Sequence, residues 1–152
     1  MAVNPIPNGY HTVTPYLVVR GAAKTIEFAR KAFGAETVGE PIKRPDGTIM
    51  HTEIKIGDSR IMISDASAQH QPMASMLPLY VPNVDAVYER AIAAGATSLM
   101  EPMDQFYGDR SGGVKDPSGI QWFIGTHMED VAPQVLKKRA EAHLKAEQGK
   151  AA

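Results

Sequence analysis

The chain has 152 residues, 43% hydrophobic and 22% charged, with a net charge of -1. That suits one domain able to bury a core without staples and offers no electrostatic footprint for nucleic acid or an anionic membrane. The lack of cysteine excludes disulfides, thiolate nucleophiles, zinc ribbons and iron–sulfur clusters. No stretch reaches the roughly 18 apolar residues of a membrane helix, and the opening MAVNPIPNGYHTV has neither the basic region nor the apolar run of a signal peptide, so a cytoplasmic protein is expected.

Residues 1–11 hold Pro5, Pro7, Asn8 and Gly9 and read as an extended N-terminal arm. Thr12 to Val19 is β-branched and aromatic, a first strand with Leu17 and Val19 on one face and Thr14, Tyr16 and Val18 on the other. Pro15 places it at an edge or a bulge. Gly21 to Phe33 follows as a helix with Ala22, Ile26, Ala29, Ala32 and Phe33 inward and Gly34 as its stop. Glu36 to Lys43 reads as a second strand, closed by the Pro45-Asp46-Gly47 turn. In the third, Thr48 to Ile56, period-2 geometry puts Met50, Thr52, Ile54 and Ile56 on one face and Ile49, His51, Glu53 and Lys55 on the other. A turn at Gly57 leads to a fourth strand, Arg60 to Ser64, and the small, polar Asp65 to Ser75 reads as a connector.

From Met76 the order repeats. Leu77, Leu79 and Val81 alternate with Met76, Pro78 and Tyr80. A helix follows to Ala94, with Asn83 as N-cap, Val84, Val87, Ala91 and Ile92 inward and Gly95 as the stop. Thr97 to Met103 and Gly112 to Lys115 give strands on either side of a loop at Tyr107 to Arg110, and Asp116-Pro117-Ser118-Gly119 turns the chain into a last strand, Ile120 to Gly125. The expected fold is therefore α+β, two βαβββ modules (12–65 and 76–127) in tandem. Residues 128–152 form a helical tail: Pro133 sits in its first turn, Lys137, Lys138 and Arg139 follow, and a thin stripe of Val131, Val135, Leu136 and Leu144 asks for a neighbouring surface. Its end from Glu147 is expected to fray.

His51 and Glu53 share one strand face, where a His beside a carboxylate can act as a general base or hydrogen-bond a polar ligand; the alternative is a polar pair on an exposed sheet. Tyr16, Tyr80, Tyr107 and Phe123 can supply apolar walls with phenol handles, whereas Trp122 suits the core. The Arg110 fork can hold an anionic group, or pair with Asp109 or another nearby carboxylate. His11, His70 and His127 are expected to face solvent. Nucleophile elbows, P-loops and GxGxxG fingerprints are missing.

The stretches TPYLVVRGAAKTIEFARKAFGAE and YGDRSGGVKDPSGIQWFIGTHMEDV, set in this tandem plan, resemble the vicinal oxygen chelate superfamily of glyoxalases, extradiol dioxygenases and bleomycin-resistance proteins, in particular its PhnB-like branch. The resemblance runs from about residue 10 to about residue 135. It implies eight strands curled into a cup, helices outside, and a homodimer. Metal-dependent members place one His, Glu or Gln on each of four strands facing the cup. By position these places fall here at Thr14, Met62, Met76 and Phe123, none a usual ligand for a divalent metal, and a shift of one residue brings no ligand either. The resemblance thus implies a metal-free protein without a cofactor that binds a small molecule in the cup or dimer cleft, through Tyr16, Met62, Tyr80, Tyr107, Arg110 and Phe123. The alternative is a metal-dependent or acid–base enzyme of glyoxalase or dioxygenase type, acting on a small oxygenated substrate with His51 and Glu53 as catalytic residues.

Overall fold

The computed structural model describes residues 2–151; the first residue of the expected arm and the last of the tail lie outside it. The first module comprises β1 (Tyr16–Val19), α1 (Ala22–Phe33), β2 (Glu36–Thr37), β3 (Ile42–Lys43), β4 (Ile49–Ile56) and β5 (Ser59–Asp65). The second comprises β6 (Met76–Tyr80), α2 (Val84–Ala93), β7 (Thr97–Asp104), β8 (Asp109–Lys115) and β9 (Gln121–His127), and α3 (Pro133–Ala151) follows. This is the expected α+β plan of two βαβββ modules with a C-terminal helix. The hydrogen bonding divides the strands between two mixed sheets, β1-β5-β4-β2 with β3 also on β4, and β6-β9-β8-β7. They do not run as one continuous eight-stranded sheet within the chain. Among the described residues no helix is long and apolar enough to cross a membrane.

Each module closes by the same device. Its first and last strands run parallel, β1 beside β5 and β6 beside β9, and parallel neighbours need a crossover, which the helix supplies. The helix then begins beside the far end of the last strand, and its first amides have no partner of their own. In the first module Asp65 Oδ1 accepts from the amides of Gly21 (3.1 Å) and Ala22 (2.8 Å), while Oδ2 accepts from Ile49 (2.7 Å). In the second, Thr126 Oγ1 accepts from the Val84 amide (2.9 Å) and donates to the Val81 carbonyl (2.8 Å); Asn83 caps Ala86 as expected. Asp65 therefore ends β5 and is not part of the connector.

The core fills the space between the helices and the inner faces of both sheets. Leu17, Phe28, Ile54, Ile63, Val84, Trp122 and Ile124 belong to a single buried cluster, and the α1 and α2 surfaces pack together. Phe33 meets Trp122 across the seam at 5.0 Å, and Ser118 Oγ donates to the Gly21 carbonyl (3.1 Å). Trp122 is held from below by Asp116, whose carboxylate accepts from the indole Nε1 (3.0 Å) and from the amides of Ser118 and Ile120. Burial pushes the Asp116 carboxyl above its usual range despite these donors.

Local departures from expectation have local causes. The second expected strand, Glu36 to Lys43, is broken into β2 and β3 because Gly39 turns left-handed (φ 70°) and Pro41 has no amide to pair. On β4, Ile42 pairs with His51 and Lys43 with Ile49, so Met50 is an extra, bulged residue. The bulge reverses the face before it: Ile49 is buried and Met50 is 46% exposed. On α1, Thr25 and Phe28 are buried while Ile26 and Phe33 are half-buried. Ile92 is 39% exposed, because Val84, Val87 and Ala91 already fill the inner stripe of α2. The tail helix is continuous to Ala151 and buries no residue; Arg139 fixes it by a fork on Glu129 (2.9 and 3.0 Å).

Truncating the capping side chains tests this closure. Asp65→Ala strands three amides and is expected to lower unfolding free energy by about 3 kcal/mol. Thr126→Ala removes one cap and is expected to cost about 1 kcal/mol; urea unfolding of both variants gives the comparison.

Candidate functional site

With one face of each sheet committed to the core, strand alternation leaves the opposite faces free for chemistry. On the first module, Met62 of β5 lies between Tyr16 of β1 and Glu53 of β4, each its register partner. Tyr16 Oη is 3.2 Å from His51 Nδ1 and His51 Nε2 is 3.5 Å from Glu53 Oε1. Arg60 stands 3.8 Å from the same carboxylate, under the ring of Tyr10, whose centroid is 5.0 Å from the guanidinium carbon. The arm therefore folds over the edge of this face. Four of the expected site residues, Tyr16, His51, Glu53 and Met62, are gathered here. Among the described residues no three His, Asp or Glu side chains are grouped so as to hold a metal ion.

The second module's free face carries a cavity of about 250 Å³ lined by Met76, Pro78, Tyr80, Tyr107, Asp109 and Phe123, among others. All the lining belongs to this module. Glycines clear its floor. A side chain at Gly113 would fall 2.8 Å from the Phe123 ring and one at Gly125 would fall 3.6 Å from the Tyr80 ring, so both rings lie down along the sheet. Tyr80 itself is 69% exposed.

Beside these rings runs a chain of hydrogen bonds. Tyr80 Oη donates to Asp109 Oδ2 (2.6 Å), Asp109 Oδ1 meets His127 Nδ1 (2.7 Å), and His127 Nε2 meets Asp130 Oδ1 (2.8 Å). Asp109 is only 7% exposed. Burial opposes its ionisation, but the hydrogen bonds from Tyr80 and His127 together outweigh it and hold the carboxyl below the usual range. Asp130 first, then Asp109, raise the imidazole of His127. The hydrogen bond to Asp109, with burial second, raises the Tyr80 phenol.

Sequence reasoning missed Asp109 and His127. It placed Asp109 in a loop, whereas β8 begins at Asp109 and that residue pairs in register with His127 of β9; His127 is exposed as expected, but its link to Asp109 was not foreseen. The signal was present: alternation run back from Gly113 through Ser111 reaches Asp109 on the Phe123 face. Tyr80, Tyr107 and Phe123 are brought together as a group, apart from the first module's four.

Arg110, expected to hold an anionic group or to pair with Asp109 or another nearby carboxylate, pairs with two carboxylates of the chain, neither of them Asp109. It projects from the opposite face of β8, where Nε and Nη2 donate to the two oxygens of Asp85 on α2 (2.9 Å each) and Nη1 to Asp104 (3.3 Å). Asp85 raises the guanidinium, and Arg110 in turn lowers the Asp85 carboxyl. The fork is filled from within the chain. A larger cavity, about 690 Å³, lies at the module seam between Phe33, Ile61, Leu77, Leu79, Val87 and Trp122; it is mainly apolar, and Tyr80 stands in the lining of both cavities.

Comparison with known proteins places this geometry. An uncharacterized protein of Mycobacterium bovis is 37% identical over 142 residues, covering 86% of this chain and 90% of its own length. One from Mycobacterium tuberculosis shows the same identity and covers 81% of its length. Among solved structures, TioX from Micromonospora matches with a TM-score of 0.60 at 20% identity, over 80% of this chain and 100% of its own. The PhnB protein of Bacillus cereus, described as a putative 3-demethylubiquinone-9 3-methyltransferase, matches at 0.58 and 18% identity, over 76% and 99%. These likenesses show a shared fold. The model of the Glyoxalase/Bleomycin resistance protein/Dioxygenase superfamily matches residues 10–124, most of both modules, and the chain belongs to that superfamily.

Proposed function

We propose that this protein, a member of the PhnB-like branch, binds a small molecule without a metal or other cofactor, in the cup that its sheets form within the chain or across a homodimer. The observation that carries this reading is the second module's cavity, with Tyr80, Tyr107 and Phe123 around a buried carboxylate. Concave, mostly apolar sites with a few placed polar groups are the usual form of small-molecule sites. Metal is disfavoured by donor chemistry. Thr14, Met62, Met76 and Phe123 offer a hydroxyl, two thioethers and a ring, which do not replace the inner shell of Zn²⁺, Ni²⁺, Mn²⁺ or Fe²⁺. A cytoplasmic setting belongs to the same reading.

A second reading rests on the first module, where Tyr16, His51 and Glu53 form a connected acid–base series. There His51 is the proton carrier, and an enzyme of glyoxalase or dioxygenase type acting on a small oxygenated substrate is the alternative. The homodimer is supported by apolar surface. Tyr16, Met76, Tyr80 and Tyr107 stand exposed on the free faces, with Leu144 on a tail helix that buries nothing, and a second copy can cover them.

Three measurements follow. Light scattering at micromolar concentration is expected to give twice the chain mass; a monomer alone removes the dimer. Addition of Zn²⁺, Ni²⁺, Mn²⁺ or Fe²⁺ is expected to leave the melting temperature unchanged, whereas a metal at about 100 times its Kd would add roughly 2.7 kcal/mol. A rise that His51→Ala and Glu53→Ala abolish would move the assignment to the metalloenzyme. Finally, His127 is expected to titrate above the ordinary His value of about 6.5 in a pH series of NMR spectra. Because its folded value is the raised one, its contribution to stability is full below the unfolded value and is lost as pH climbs through the folded one. Titration at or below the ordinary value would contradict the paired geometry.

A further inference from the structure

The hydrogen-bond chain behind Tyr80 has a fixed polarity. Both ring nitrogens of His127 face carboxylate oxygens, Asp109 at 2.7 Å and Asp130 at 2.8 Å, an arrangement that favours the imidazolium, whose two N–H groups are then both committed. Asp109, taking one of them, stays ionised and has no proton to give. The phenol beside it must therefore donate, and its one proton goes to Asp109 Oδ2 at 2.6 Å. What Tyr80 Oη has left for the cavity is lone pairs.

Most of the lining has the same sign, and the hydroxyls of Ser111 and Tyr107 can donate or accept. Asp109 carries the one charge among the lining residues, which include no Lys, Arg or His. The Tyr80 and Phe123 rings lie against Gly125 and Gly113, which leaves their other faces to the cavity, and a ring face is the negative part of the quadrupole. An anion entering here would meet a carboxylate, lone pairs and ring faces, with only two neutral hydroxyls able to donate to it. A cation with N–H donors meets an acceptor and two rings, the arrangement that binds ammonium groups.

We propose that this cavity selects an organic ammonium ion, a protonated primary or secondary amine on a small apolar body, with its N–H donated to Tyr80 Oη and its body on Phe123 and Met76. The proposal rests on the small-molecule reading above and adds the class of ligand. Tyr80 is the specificity residue that touches the ligand; Asp109 and His127 are positioning residues that keep its proton turned away.

The test uses three probes of one shape, 2-phenylethylamine, 2-phenylethanol and 3-phenylpropionate, titrated into the full chain with the backbone amides of Gly113 and Gly125 followed by NMR. The amine is expected to bind at least tenfold more tightly than the carboxylate. Tyr80→Phe, at an exposed position where folding is retained, is expected to weaken the amine at least fivefold. If 3-phenylpropionate binds as tightly as the amine, or if Tyr80→Phe leaves the amine unchanged, the ammonium assignment is overturned. In that case binding of 2-phenylethanol at the same amides keeps the small-molecule reading. If none of the three probes moves these amides, both are overturned.

Discussion

Everything in this structure depends on how the helix that bridges two parallel strands satisfies its first amides. A helix start packed against a sheet has donors that water cannot reach, and each one left bare would cost on the order of 1–3 kcal/mol. Both modules answer from the same place, the end of the last strand, with Asp65 under α1 and Thr126 under α2. The side chain that caps the helix also sets the register of the strand that carries it. Since a slip of one residue would turn every side chain to the other face, the cap decides which residues are buried and which are free.

The free faces differ in charge because their neighbours differ. On the first module His51 stands between a phenol and a carboxylate, with Arg60 nearby and the arm laid over it through Tyr10. On the second a buried carboxylate is flanked by a phenol and a paired imidazole, with no basic side chain in the cavity lining. One fold thus carries a mixed polar face and an acceptor-rich face. Arg110 would have altered that balance had it faced the cavity, but α2 presents Asp85 to the other side of β8 and takes both arms of the fork. A bidentate pair of this kind orients as well as attracts.

The two modules are joined through packing. Trp122 is the hinge of that arrangement: its ring meets Phe33 of the first module, while its indole N–H is spent on Asp116 in the turn before its own strand. Ser118 of the same turn reaches the Gly21 carbonyl at the start of α1. The turn therefore both reverses the chain and ties the modules together.

What the sequence determined by itself was whatever depends on neighbours along the chain. The strands at Tyr16–Val19 and Met76–Tyr80, the spans of the two module helices, the Asn83 cap and the Asp116–Gly119 turn all follow from local geometry, and they place Tyr16, Tyr80 and Phe123 on free faces. His51 and Glu53 were legible for the same reason. Only the tertiary structure decided what depends on residues far apart in the chain. The bulge at Met50 exists because β3 pairs one residue out of step. Asp65 looks like linker until Gly21, Ala22 and Ile49 come to it. Asp109 and His127, 18 positions apart, become one unit because β8 and β9 bring them opposite each other. Charge and hydrogen bonding act through space, so the partners of Asp65 and the link between Asp109 and His127 are fixed by the register and packing of strands and helices, and no window of local sequence contains them.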